Sequence, residues 1–170
     1  RGFRKSVPAD PPRRILFIEI SEMGSMVLAY PLLNKTRVLF PEAELFFLTF
    51  QQNRYAIDML GIIPEKNVFT LDGEKPLRFF SSVLSVLRKL RRKKLDLVID
   101  MELFARFTAV FSYLTGAKSR VGYFRFHNEG LYRGNLLTHS VQYNPHVHMA
   151  FNLQNLIHAV ARPTDETPLP

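Results

Sequence analysis

The sequence predicts a Rossmann-like α/β fold, a parallel sheet with helices on both faces. Three observations predict it. Short apolar runs alternate along the chain with segments of helical period. The runs at 14–20 and 44–50 are apolar nearly throughout, as parallel strands covered on both faces must be. The connections are short and punctuated by Pro and Gly.

In order, residues 14–20 read as a first strand, and 21–25 as a turn. A helix follows to about Phe40, stopped by Pro41, with Pro31 inside it to kink it. Residues 44–50 form a second strand, and 53–60 a short helix closed by Gly61. Residues 67–71 form a third strand. Phe80, Val83, Leu84, Leu87 and Leu90 then recur at helical spacing, which predicts one inward apolar stripe. A fourth strand, 95–100, ends in Asp100. Phe104, Phe107, Phe111 and Leu114 mark the inner face of a helix ending at Gly116. Strands are expected at 120–123 and 136–143, separated by a polar loop from Arg125 to Asn135. A last helix turns Met149, Leu153, Leu156, Ile157 and Val160 inward.

With 170 residues, 46% hydrophobic and 12% aromatic, the chain suits one well-buried domain rather than disorder. A net charge of +8 favours a polyanionic partner: nucleic acid, an anionic membrane surface or a phosphorylated glycolipid. The absence of Cys excludes disulfides, thiol catalysis and Cys-ligated zinc, and fits a reducing compartment. No apolar run approaches the roughly 20 residues needed to span a bilayer. The organisation expected is a basic Pro-rich lead over 1–13, a domain over 14–161, and the start of a linker over 162–170. A start at Arg1 without a signal-peptide core and a Pro-rich close suggest a piece of a longer protein.

In an open parallel sheet, ligands bind beyond the carboxyl ends of the strands. Three segments fall there. Ser21-Glu22-Met23-Gly24-Ser25 leads into a helix N-terminus, where free N–H groups suit phosphate or carboxylate; the plainer reading is that Ser25 caps the helix. Asp100-Met101-Glu102 places a carboxylate at a strand end, for catalysis, for substrate hydroxyls or as a helix N-cap. Arg106 beyond it either forks onto phosphate or is solvated. The third segment is the loop from Tyr123 to Arg133. The run Arg88-Lys89-Leu90-Arg91-Arg92-Lys93-Lys94 is either a solvated helix end or a dock for an anionic leaflet. It has no interleaved aromatic residues, as a nucleic-acid site usually would. There is no G-x-G-x-x-G, P-loop, G-x-S-x-G, H-E-x-x-H or D-x-D, so neither a metal site nor a cofactor is expected.

Together these segments resemble the N-terminal half of glycosyltransferase family 9, the bacterial heptosyltransferases of lipopolysaccharide core assembly. The family's strand, S-x-M-G-D turn and Pro-containing helix ending at Phe-Pro are matched by 15–20, Ser21 to Ser25, Pro31 and Phe40-Pro41. A block close to D-L-V-I-D-L-Q-G-L-x-R is matched by Asp96 to Arg106, continuing through Thr115-Gly116-Ala117-Lys118-Ser119-Arg120-Val121-Gly122. His148, Asn152 and Leu153 are similar to a late family pattern.

The resemblance implies a GT-B protein of two Rossmann-like domains, this one holding the acceptor. A missing domain would hold most of a nucleotide sugar such as ADP-heptose. It further implies metal-free, inverting transfer to a glycan or glycolipid at the cytoplasmic face of the inner membrane, with this piece inactive alone. The family's base, the Asp after Met-Gly, is Ser25 here. Glu22 and Asp100 are the candidates to replace it, making Glu22, Ser25 and Asp100 the expected catalytic group. Acceptor contacts are expected from Ser21, Met23, Gly24, Glu102, Arg106, Tyr123, Arg125, Asn128, Glu129 and Arg133. The alternatives are a non-catalytic glycan- or nucleotide-binding module, suggested by Ser25, and a nucleic-acid-binding domain, suggested by charge alone.

Overall fold

A computed structural model describes residues 11–103, 105–125, 133 and 135–161. The strands are β1 (Arg14–Ile18), β2 (Glu44–Phe50), β3 (Val68–Leu71), β4 (Leu97–Asp100), β5 (Ser119–Arg125) and β6 (His139–Gln142). The α-helices are α1 (Met23–Leu28), α2 (Tyr30–Leu39), α3 (Arg54–Leu60), α4 (Pro76–Arg92), α5 (Arg106–Leu114) and α6 (Met149–Ala161). Every strand pairing is parallel, in the order β3-β2-β1-β4-β5-β6. The chain builds outward from β1 to β3, then returns to lay β4 on the other side of β1. The switch in order therefore lies between β1 and β4, and the connections that follow them leave toward opposite faces of the sheet, which opens a crevice there. This is the Rossmann-like sheet that the alternating pattern predicts.

The side-chain period of two sorts each buried strand onto two cores. Ile15, Phe17, Leu45, Phe47, Leu97 and Ile99 face α1, α2, α3 and α6, while Leu16, Ile18, Phe46, Leu48 and Val98 face α4 and α5. Phe17 and Phe47, neighbours on adjacent strands, stack with ring centroids 6.4 Å apart. Several of the fifteen Phe are therefore spent filling this sheet. Next to the switch, Gly122 of β5 pairs with Asp100 of β4. A Cβ there would lie 3.1 Å from the Asp100 carbonyl oxygen and 3.2 Å from its Cβ, so β4 and β5 would have to give by a few tenths of an ångström to admit a side chain.

Three helices differ from expectation. The first is not one kinked rod: it breaks at Ala29 into α1 and α2, with Pro31 in the first turn of α2. Pro has no N–H to continue the ladder, and its ring crowds the preceding turn, so a restart is the cheaper solution. The second is α4. Its buried residues are Val86, Leu87 and Leu90, with Phe79 and Val83 partly buried, while Phe80 and Leu84 of the predicted stripe are exposed. This helix carries two apolar stripes about 100° apart, both of helical period, and the sheet covers only one. In α5, Phe107 and Phe111 pack inward as expected, Leu114 is exposed, and Phe104 lies outside the described residues. The segments 1–10 and 162–170, expected as lead and linker, lie outside them too.

Candidate functional site

A cavity of about 680 Å³ opens at the carboxyl ends of β1 and β4, where the strand order switches. Its polar wall comes from two turns. After β1 the chain supplies Glu19, Ser21, Glu22, Gly24 and Ser25; after β4 it supplies Met101, Glu102 and Leu103. Leu28, Tyr143 and Met149 close the apolar side.

Glu102 fastens the two turns together. One carboxylate oxygen accepts the Ile20 and Ser21 backbone N–H groups at 2.8 and 2.7 Å, and the other accepts the Ser21 hydroxyl at 3.0 Å. Glu19 lies beside it, almost wholly buried, and shares a hydrogen bond with it. Burial first, and then the adjacent Glu102 charge, push the Glu19 carboxyl up to about 9, so at neutral pH Glu19 carries the proton between the two acids. The wall is thus a protonated Glu19 carboxyl beside the Glu102 side chain, which backbone N–H groups hold in place.

Glu22 stands differently. It is exposed at the mouth of the cavity, at the N-cap position of α1, but makes no side-chain cap bond. The Ser25 hydroxyl, one turn on, donates to the Glu22 carboxylate at 3.3 Å. Ser25 therefore does not cap α1 by accepting from its backbone; it orients the acid that precedes the helix.

Asp100 and Arg133 form a second, sealed arrangement behind this wall. Both are buried and ion-paired. The other Arg133 donors reach the Thr108 hydroxyl at 2.6 Å and the carbonyls of Glu102, Tyr123 and Ala105 at 2.6, 3.1 and 3.1 Å. All five guanidinium N–H groups are used within the fold, so none is left for an acceptor. Asp100 accepts Arg133 on one oxygen and the Glu102 N–H, at 3.2 Å, on the other. Burial pushes it up to about 6 in spite of the guanidinium. It does not line the cavity, nor does it cap α5, whose N-cap is Ala105.

Of the residues singled out from sequence, the cavity gathers Ser21, Glu22, Gly24, Ser25 and Glu102. Met23 is exposed beside them, and Arg106, exposed at the start of α5, follows the lining residue Ala105 but does not itself line the cavity. Tyr123 is buried behind Tyr143, ring centroids 5.7 Å apart, and its hydroxyl has no hydrogen-bond partner among the described residues. The Arg125 side chain, Asn128 and Glu129 lie outside the described residues. Sequence reasoning missed Glu19, although its signal was present: one carboxylate interrupting an otherwise apolar strand. Tyr143 and Met149, brought in by α6 and the segment before it, had no such signal.

The same fold occurs in solved glycosyltransferases. A glycosyl transferase family 9 structure from Veillonella parvula superposes with a TM-score of 0.69 at 16% identity, over 87% of this chain and 41% of its own. This is a heptosyltransferase-like fold. E. coli heptosyltransferase WaaC with ADP gives 0.71 at 14% identity, over 91% of this chain and 49% of that one. E. coli ADP-heptose lipopolysaccharide heptosyltransferase II gives 0.68 at 16%, over 89% and 44%. The chain thus spans less than half the length of each of these structures. No protein-family model and no curated protein sequence matches it.

Proposed function

We propose that this chain is the acceptor-side half of an inverting glycosyltransferase, moving heptose or a related sugar from a nucleotide donor such as ADP-heptose to a lipopolysaccharide-type glycan. Support comes from the heptosyltransferase-like fold, from E. coli WaaC having been solved with ADP and with an ADP-heptose analogue, and from the cavity at the switch point. In this reading Glu22 takes the proton from the attacking acceptor hydroxyl, and the anomeric carbon inverts as the nucleoside diphosphate leaves. Ser25 orients Glu22, while Glu102 and Ser21 fix the turn. The carrying observation is that Glu22 is the exposed carboxylate at the cavity mouth, with the Ser25 hydroxyl bonded to it.

The test is turnover by the full-length protein with ADP-heptose and a panel of other donors over a truncated glycolipid acceptor. Glu22→Gln should lower kcat by about 10²-fold or more, the usual contribution of a positioned base, while Ser25→Ala should cost far less. Normal turnover by Glu22→Gln would refute the assignment. A specific observation favours one second reading: Ser25 stands where the resembling family carries its base. Acceptor binding without transfer from any donor would establish that reading, a non-catalytic glycan-binding module.

A further inference from the structure

Helix α4 presents an outward line that neither the sheet nor the cavity uses. Leu77, Phe80 and Leu84 are 86%, 63% and 54% exposed, and they follow one another at i, i+3 and i+7. Continuing the same line toward the helix C-terminus brings Arg88 and Arg91, at i+11 and i+14. Lys89, Arg92, Lys93 and Lys94 are also exposed around that end. Lys93 alone has an acidic neighbour among the described residues, Glu44 at 4.0 Å; no described acid pairs with the others. The face therefore combines exposed Leu and Phe with a dense, uncompensated positive charge.

We infer that α4 docks this protein in the plane of an anionic lipid surface. An interfacial helix needs apolar side chains to sink into the acyl boundary and cations to meet the headgroups, and α4 supplies both on one line. The long stems of Arg88 and Arg91 can lie along the apolar layer while their heads stay among phosphates. Nucleic acid fits less well: segment 88–94 has no aromatic residue to stack on bases, and Phe80 lies two helical turns before it. The topology gives the docking a use. As the crossover from β3 to β4, α4 starts at the carboxyl rim of the sheet, the rim that carries the cavity. Leu77 and Phe80 would therefore touch the bilayer at the end from which a lipid-anchored molecule could reach the crevice.

The experiment is flotation of the full-length protein with vesicles of phosphatidylcholine alone or with about one-third phosphatidylglycerol, without donor or acceptor, so its result is independent of glycosyl transfer. Binding is expected to the anionic vesicles and to weaken at high salt. Removing two cations in Arg88→Gln/Arg91→Gln should weaken it about 25-fold, at roughly fivefold per cation near such a surface. Phe80→Ser/Leu84→Ser should weaken it at least about tenfold at unchanged charge. Equal binding to both vesicles would overturn the inference. So would apolar variants that bind as the parent does, which would leave only charge adsorption, or preferential capture of a random RNA. A fall in melting temperature in Phe80→Ser/Leu84→Ser with vesicle binding unchanged would assign the stripe to a protein contact and equally overturn it.

Discussion

Glu19→Gln should stabilise this protein, and the gain should grow with pH. Glu19 titrates at 4.5 when solvated and at about 9 in the fold. Its carboxyl is protonated in the folded state and ionised in the unfolded state throughout the interval between those values. A group raised in this way contributes fully below its unfolded pKa, and the contribution is lost as pH rises toward the folded one. At pH 7 the interval already crossed corresponds to a stability loss on the order of a few kcal/mol, and the loss continues up to about pH 9. Gln cannot ionise, has nearly the same shape, and can donate to Glu102 through its amide as the protonated acid does. Asp100, raised to about 6, is about nine-tenths ionised by pH 7, so the window from pH 7 to 8.5 isolates Glu19 among the shifted carboxyls. The measurement is urea unfolding of parent and variant at several pH values across that window. The parent should weaken with rising pH while Glu19→Gln stays flatter and more stable. Parallel curves, or a parent that strengthens toward pH 8.5, would refute the protonated pair.

Two other substitutions probe the wall behind the cavity. Arg133→Met removes the guanidinium and leaves Asp100 buried without a counter-charge, which should cost about 3–5 kcal/mol in urea unfolding; a cost below about 1 kcal/mol would show the pair to be dispensable. Gly122→Ala forces a methyl against the Asp100 carbonyl of the adjacent strand and should cost about 1–3 kcal/mol, whereas a stabilised variant would contradict the close strand contact.

The sheet was legible because its strands are buried on both faces and its crossovers are helical, so local pattern and global topology agree. Where they diverged, the physical reason can be named. On α4 two stripes of equal periodicity competed, and only the position of the sheet decides which is covered; hence Phe80 and Leu84 were assigned to the core and Val86 was not. That Glu22, Ser25 and Glu102 line one cavity was legible because the turns after the inner strands of a Rossmann-like sheet meet at the switch point. Arg133 was not legible as a brace. In a sequence, a basic residue in a polar loop looks like a ligand contact, and only the packed structure shows its five donors consumed by Asp100, Thr108 and three carbonyls.

Glu102 offers the sharpest test of the cavity wall, because the resembling family carries Gln there. A Gln oxygen can accept the Ile20 and Ser21 N–H groups as the present carboxylate does, and its amide can donate to the Ser21 hydroxyl, which now donates to Glu102. The two turns should therefore stay joined in Glu102→Gln. What changes is Glu19. Burial, the largest cause of its raised pKa, persists, but the repulsion from the neighbouring carboxylate disappears. Glu19 should then release its proton at lower pH, though still above a solvated Glu, and the pH range over which stability falls should end earlier. Carbonyl-stretch infrared difference spectra against pH would follow the Glu19 proton directly, with Glu19→Gln identifying the band. If Glu102→Gln leaves that titration where it is, the two acids do not share a proton and burial alone sets Glu19. If the titration moves down, the acid at 102 is what keeps a neutral donor in the cavity wall.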